Sequence, residues 1–212
     1  MISGRNVYLR PIESEDLEFL RELNNHPQVR ASVVGWDFPV SLHSQIRWFE
    51  SADATSTRRL LVVDKENGQS IGLTGLWNID WHNRSALSAV KLHPDLAQKG
   101  RGTDTIMATM AWAFTEVGLR RLYSSILSFN ASSFGTYVKK CGWRVEGVER
   151  EAVFRNGQFV DLIRVAILDH EFLALNEAGF YVDLVCPVDT KLQIRDTYPS
   201  DRWLSFSDDP VE

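Results

Sequence analysis

Residues Pro94–Thr103 read PDLAQKGRGT, and the run DTIMATMAWAF follows them. The strand-like segment Val90-Lys91-Leu92 ends just before this stretch, and two glycines flank Arg101. A glycine-rich turn between a strand and a helix has a physical use. Its backbone N–H groups line a concavity, and the helix N-terminus adds partial positive charge, so the turn suits phosphate. Glycine matters there because a Cβ would block close approach. Lys99 and Arg101 offer charge for a pyrophosphate, and Thr103 offers a hydroxyl. The P-loop pattern GxxxxGK[ST] is absent, and GRGTDT lacks the third glycine of the dinucleotide fingerprint GxGxxG.

The rest of the chain supplies the frame for this turn. VYLRPI alternates as a first strand, and SEDLEFLRELNN reads as a helix with Leu17, Leu20 and Leu23 on one face and Ser14 as its cap. Residues 26–40 look irregular. Ser41 is placed to cap a second helix, LHSQIRWFESA, with Ile46, Trp48 and Phe49 near one face. RRLLVVD, SIGLTGLWNI and SALSAVKL are strands two to four, with turns at Asn67-Gly68 and at DWHNR. The helix from Thr103 to Val117 stops at Gly118. RRLYSSIL is a fifth strand, NASSFGTYVKKCG a helix, and the segment from Trp143 to Leu168 a long hairpin turned at Asn156-Gly157. LDHEFLALNEAG closes with a short helix. This order argues for an α+β domain with a mixed sheet rather than a doubly wound parallel one. The expected domain spans residues 1–179. Residues 180–212 form an extension, with FYVDLVCPV as a candidate edge strand before an acidic, turn-rich tail.

Composition narrows the function. The chain has 212 residues, 44% apolar and 24% charged, which is ordinary for a soluble globular protein. A net charge of −5 argues against nucleic acid as a partner. No apolar run is long enough for a membrane span, and the N-terminus lacks a signal-peptide core. Cys141 and Cys186 have no partner at metal-ligand spacing, so no metal is expected, and a cytoplasmic location fits.

The segment from Pro94 to Ser133 resembles the acyl-CoA signature of the GNAT acetyltransferase superfamily. The signature, Arg/Gln-x-x-Gly-x-Gly/Ala, falls on Ala97-Gln98-Lys99-Gly100-Arg101-Gly102, with alanine at its first position. VYLRPIESEDLEFL, PVSLHSQIRWFES, IGLTGLWNIDWHNRSA and the long hairpin extend the likeness from about Val7 to Phe172. Within the superfamily the chain resembles the ribosomal-protein alanine N-acetyltransferases and related small-molecule N-acetyltransferases.

The resemblance implies a mostly antiparallel sheet flanked by helices and splayed between the fourth and fifth strands. Acetyl-CoA is the implied co-substrate. Its acyl and pantetheine groups would meet the backbone of Val90, Lys91 and Leu92, its pyrophosphate the turn from Gln98 to Thr103, and its remaining contacts Asn130 and Ser133. Tyr137 stands seven residues after Asn130, where many relatives place a tyrosine that protonates the departing thiolate. Gly142 comes one residue later than the usual spacing, an extra residue that can rotate Tyr137. Asp80 is a candidate base, and Trp36 and Trp77 are candidates for the acceptor pocket. The expected reaction moves an acetyl group to a primary amine, on a small molecule or a protein N-terminus, by direct attack in a ternary complex. The alternatives are a non-catalytic acyl-CoA-binding module and a different acyl donor, whose carboxylate Lys91, Arg84 or Arg47 would meet. The expected state is a monomer or homodimer.

Overall fold

A computed structural model describes residues 1–35, 38–51, 53 and 55–181. In chain order the strands are β1 (Ile2–Ser3), β2 (Val7–Arg10), β3 (Arg58–Asp64), β4 (Ser70–Asp80), β5 (Ser85–Leu92), β6 (Arg121–Leu127), β7 (Arg144–Arg155) and β8 (Gln158–Leu168). The helices are α1 (Leu17–Asn25), α2 (Pro27–Ser32), α3 (Leu42–Glu50), α4 (Arg101–Thr115), α5 (Ala131–Phe134) and α6 (Asp169–Glu177). All eight strands form one sheet in the order β1-β2-β3-β4-β5-β6-β8-β7. Every pairing is antiparallel except β5 with β6. The short β1 shifts the count, so the fourth and fifth strands of the sequence reading are β5 and β6.

The apolar run of β3 explains the layering. Its side chains alternate between faces. Leu61 and Val63 pack with Leu17, Leu20 and Leu23 of α1, while Leu60 and Val62 pack with Val7, Leu9 and Ala108 on the α4 side. A strand buried on both faces needs no polar alternation. Gly72 lets β4 approach β5 closely, since a Cβ there would lie 2.2 Å from the Lys91 carbonyl oxygen.

Three local expectations change. Ser14 opens a 3-10 turn, Ser14–Asp16, and Asp16 accepts from the Glu13 amide at 2.9 Å, so the cap belongs to the aspartate. The segment expected to be irregular contains α2, with Pro27 at its first position, where a missing N–H costs nothing. The helix after β6 continues past α5 as a π-helical turn, Gly135–Lys140, with Cys141 N–H donating to the Thr136 carbonyl at 3.0 Å. An i→i−5 bond is how a helix absorbs one extra residue, which is what the late Gly142 requires. Ser41 caps α3 through the Ser44 amide, 3.1 Å, and the two-residue turn Asn156-Gly157 joins β7 to β8, both as expected.

The expected strand FYVDLVCPV lies outside the described residues from 182 onward. Within them, Tyr181 is buried and donates to the Cys141 carbonyl at 2.9 Å, so the core reaches two residues past Gly179. Among the described residues, no helix is long and apolar enough to cross a membrane.

Candidate active site

β5 and β6 share a ladder only at Ser85↔Arg121, Ala86↔Leu122 and Leu87↔Tyr123. Beyond Leu87 the strands part. Val90 and Lys91 stay paired with Thr74 and Leu73 of β4, and Ser124 to Leu127 with β8, so only the facing edges are freed. The gap opens into a cavity of about 820 Å³. Val90, Lys91 and Leu92 line one wall, and Ser124, Ser125 and Ile126 the other. Freed backbone edges beside a cavity supply polar groups for a ligand amide, because such groups require a partner.

α4 starts at the mouth. Gly100 takes a left-handed conformation, φ +92°, which only glycine adopts without strain. Gly102 lines the cavity. The first-turn amides have no intrahelical acceptor, so this end suits an anion. Arg101 departs from its expected role. Its guanidinium is buried and donates to Asp64 through Nε (2.7 Å) and Nη2 (3.2 Å), and also to Glu66 (3.1 Å) and Gln98 (3.2 Å). It clamps the turn to the end of β3 instead of reaching outward. The Arg101 guanidinium in turn holds the Asp64 carboxyl below its usual range. Asp104 completes the clamp, accepting from the amides of Arg5, Asn6 and Val7 at 2.7–2.9 Å. Lys99 is exposed in the turn, and neither it nor Gln98, Gly100 or Thr103 is in the cavity wall.

Asn130 and Ser133 line the cavity together: the Asn130 side chain accepts from the Ser133 amide at 3.0 Å and donates to the Ser32 carbonyl at 3.1 Å. It thus caps α5 and ties it to α2. Tyr137, in the π turn, also lines the cavity. Burial raises its hydroxyl well above the ordinary tyrosine value, against a smaller opposing effect of a hydrogen bond with Ser124. The phenol therefore stays protonated at physiological pH and keeps a proton to donate. Trp143 holds the ring edge-on at 4.9 Å.

The opposite side of the cavity is formed by α2, by Trp48 of α3 and by Trp77 of β4. Trp48 lies under the Arg59 guanidinium, 4.0 Å from its carbon. Trp36 lies outside the described residues. Asp80 is not in the cavity wall. It is half-buried at the end of β4, where it accepts from the Asn83 backbone (2.8 Å) and side chain (2.7 Å), bonds that hold its carboxyl below the usual range. A carboxylate so placed and so acidified is a turn-maker rather than a base.

The sequence reading missed a buried chain behind the cavity. Lys91 Nζ donates to Asn24 Oδ1 at 3.4 Å, and Asn24 donates to Gln45 Oε1 at 3.0 Å. These contacts join β5, α1 and α3, and no local pattern announces them. Burial pulls the Lys91 amine from 10.5 down to about 7. It also missed Arg164, at the cavity wall, which donates to Ser125 and is paired with Glu149.

Comparison with known proteins agrees with this geometry. Residues 6–144 match the acetyltransferase (GNAT) domain family. The chain is 31% identical over 177 residues to spermidine N(1)-acetyltransferase of Escherichia coli K12, covering 82% of this chain and 92% of that one. A crystal structure of spermidine N-acetyltransferase from Vibrio cholerae, in complex with CoA and spermine, matches with a TM-score of 0.73 at 27% identity, over 79% of this chain and 98% of that chain. A further structure of the V. cholerae enzyme is dodecameric and matches with a TM-score of 0.68 at 28% identity. The chain belongs to the GNAT acetyltransferase family. Its activity is that of an acetyl-CoA-dependent N-acetyltransferase, with acetyl-CoA as co-substrate. These relatives fall with the small-molecule enzymes, the second of the two groups that the sequence resembles.

Proposed function

We propose that the protein acetylates a primary amine of a small molecule by direct attack on acetyl-CoA in a ternary complex. The observation that carries this reading is the divergence of β5 from β6, with both freed edges lining one cavity. The small-molecule class is supported by the relatives, whose names specify spermidine.

The freed edge of Val90, Lys91 and Leu92 holds the acyl and pantetheine amides and polarises the thioester carbonyl, as an oxyanion hole does. The turn from Gln98 to Thr103 holds the pyrophosphate on backbone amides, with Lys99 free to add charge and Arg101 fixing the turn from behind. Asn130 and Ser133 meet the pantetheine arm. The amine nitrogen attacks the carbonyl carbon, the carbon–sulfur bond breaks, and Tyr137 passes its proton to the departing thiolate. The proton lost from nitrogen leaves through water, since Asp80 stands away from the cavity. Trp77 shapes the acceptor side. The catalytic unit is residues 1 to about 179, closed by Tyr181, and the remaining residues are an extension outside the cofactor site.

The test is thiol release from acetyl-CoA with a panel of primary amines, and mass detection of the acetylated product. Tyr137→Phe is expected to keep CoA affinity and to lower kcat by roughly 10²-fold. An unchanged kcat, with chemistry rate-limiting, reduces Tyr137 to packing. Transfer to a peptide N-terminus in preference to every free amine overturns the small-molecule reading.

A further inference from the structure

The pairing of β4 with β5 sets one row of residues on a single face of the sheet. Leu73 stands opposite Lys91, Gly75 opposite Ala89 and Trp77 opposite Leu87. Residues directly opposite, and residues two apart on a strand, share a face. Leu73 and Trp77 pack with the cluster of α1, so this is the face walled by α2 and Trp48, where the reading above places the acceptor. Leu73, Trp77, Leu87 and Ala89 all line the cavity.

The row has a dip in its middle. Gly75 carries no side chain, and a Cβ there would lie 2.1 Å from the Arg58 carbonyl oxygen, so the position stays bare. Ala89, opposite, adds one methyl group. Leu73 and Trp77 are four residues and roughly 13 Å apart along β4, and the floor between them is backbone and that methyl. A shallow floor edged by one tryptophan, with a second on the same side of the cavity, favours a flat group. An aromatic ring there gains face and edge contacts with indole beyond the area it buries. Leu87 forms the last rung of the β5–β6 ladder, so Trp77, opposite it, stands where the freed edges begin. A ring seated against Trp77 therefore brings an amine on a short linker to the gap that holds the thioester.

Trp48 works against a flexible polycation. The Arg59 guanidinium already lies over its ring, 4.0 Å from the centroid, while Arg59 itself stays outside the wall. A second cation drawn to the same ring meets the first charge across a thin apolar layer. A neutral arene meets no such opposition. A polyamine also freezes many rotatable bonds on binding, and an arene on a short linker freezes few.

We propose that the acceptor is a primary amine joined by a short linker to an aromatic ring, and that Trp48 and Trp77 seat the ring. This rests on the acetyl-transfer reading of the cavity.

The test compares kcat/KM, with the full chain and saturating acetyl-CoA, for five acceptors: 2-phenylethylamine, tryptamine, 2-cyclohexylethylamine, n-butylamine and spermidine. At least one of the two aromatic amines is expected to exceed each of the other three by about tenfold or more. Trp77→Leu is expected to bring the ratio of aromatic amine to n-butylamine near one, and Trp77→Phe, which keeps a ring, to hold most of it. Trp48→Leu, on a different element, serves if Trp77→Leu fails to fold. A wild-type preference for spermidine overturns the proposal. So does equal use of 2-cyclohexylethylamine and the aromatic amines, or a ratio untouched by the leucine variants. A protein that turns over none of these amines counts against the acetyl-transfer reading. The ring site is then decided by calorimetric titration of 2-phenylethylamine and tryptamine into the CoA-saturated protein. Binding that falls about tenfold in Trp77→Leu or Trp48→Leu supports it, and binding equal in all proteins or absent overturns it.

Discussion

The two walls of the cavity are built in opposite ways. On the α4 side, the phosphate turn is bolted to the sheet by a buried ion pair, Arg101 with Asp64, and by a carboxylate, Asp104, that gathers three backbone amides. On the other side, the short α2 and the chain around it are tied by side chains to backbone groups. Asn130 reaches the Ser32 carbonyl of α2, Arg155 reaches the Val33 carbonyl just past it at 3.0 Å, and Asn25 of α1 exchanges two bonds with Val40, at 2.8 and 2.7 Å. On the proposed placement of donor and acceptor, the difference suits the two ligands. A donor of fixed chemistry is served by a rigid cradle of backbone, whereas an acceptor is selected by side chains on a short helix and its neighbours.

If the first wall is the rigid one, breaking its clamp has the largest effect. Asp64→Ala leaves the Arg101 guanidinium buried with Glu66 and Gln98 as its remaining side-chain acceptors among the described residues. Stranding one partner of a buried pair costs about 3 kcal/mol or more. Urea unfolding is expected to show that loss, with weaker CoA binding as the turn loosens. The pair's contribution is present above the usual aspartate range and is lost as pH falls through the lowered value of Asp64, so wild type and variant converge in acid. A loss under about 1 kcal/mol at pH 7 removes the contrast between the walls.

The second wall holds a group that opposes folding. Unfolded, Lys91 keeps its proton up to about 10.5; folded, burial lowers that to about 7. Between these values the unfolded chain binds more protons, so this site's contribution to stability rises with pH. Below pH 7 the charged lysine carries its full penalty, with a ceiling of ~5 kcal/mol at about 1.4 kcal/mol for each pKa unit. Replacing a buried ion pair by apolar side chains of similar volume is neutral or stabilising by ~1–4 kcal/mol, because the desolvation penalty is removed. Lys91→Met, which also loses the bond to Asn24, is expected near the low end, ~1–2 kcal/mol at pH 6. The gain should fade toward pH 10.5. Thermal melts across that range check it, and a gain independent of pH assigns the effect to packing instead.

The contrast also explains what was legible in the sequence. The α4 wall is made of consecutive residues, so PDLAQKGRGT shows its glycines, its charges and the helix that follows. The alternation of β2 and the turns at Asn67-Gly68 and Asn156-Gly157 are equally local. The side chain of Arg101 was misread because its partner, Asp64, is 37 residues away, and a loop arginine carries no mark of the direction it takes. Asp80 was misread for the opposite reason: its bonds to Asn83 are local, but a turn aspartate and a free carboxylate look alike in sequence. Lys91 read as a strand residue with its backbone toward the cofactor and its side chain a candidate for a donor carboxylate, and nothing in the strand pointed to Asn24. Its link to Asn24 spans 67 residues and its exit toward α1 follows from strand register, which only the pairing of β5 with β4 fixes. The six residues of α2 are too few to show a helical period.

The smallest expected effect sharpens the comparison most, because it separates space from strain. Gly100 and Gly102 look equivalent in the motif, yet their surroundings differ. At Gly100 a Cβ meets open space, but φ is +92°, so any larger residue is strained by its own backbone. At Gly102 the backbone is helical, and a Cβ would sit 3.5 Å from Leu92 Cδ1, an ordinary contact. Gly102→Val therefore fits the empty protein and fills only the space at the cavity wall, beside the first-turn amides. CoA affinity is expected to fall about tenfold, ~1.4 kcal/mol, while the melting temperature stays near that of wild type. Gly100→Val is expected to lose stability as well, since the cost there is conformational. Calorimetry and melts on the two variants read these quantities separately. Unchanged CoA affinity in a folded Gly102→Val protein means that the phosphate groups do not approach α4 at this point.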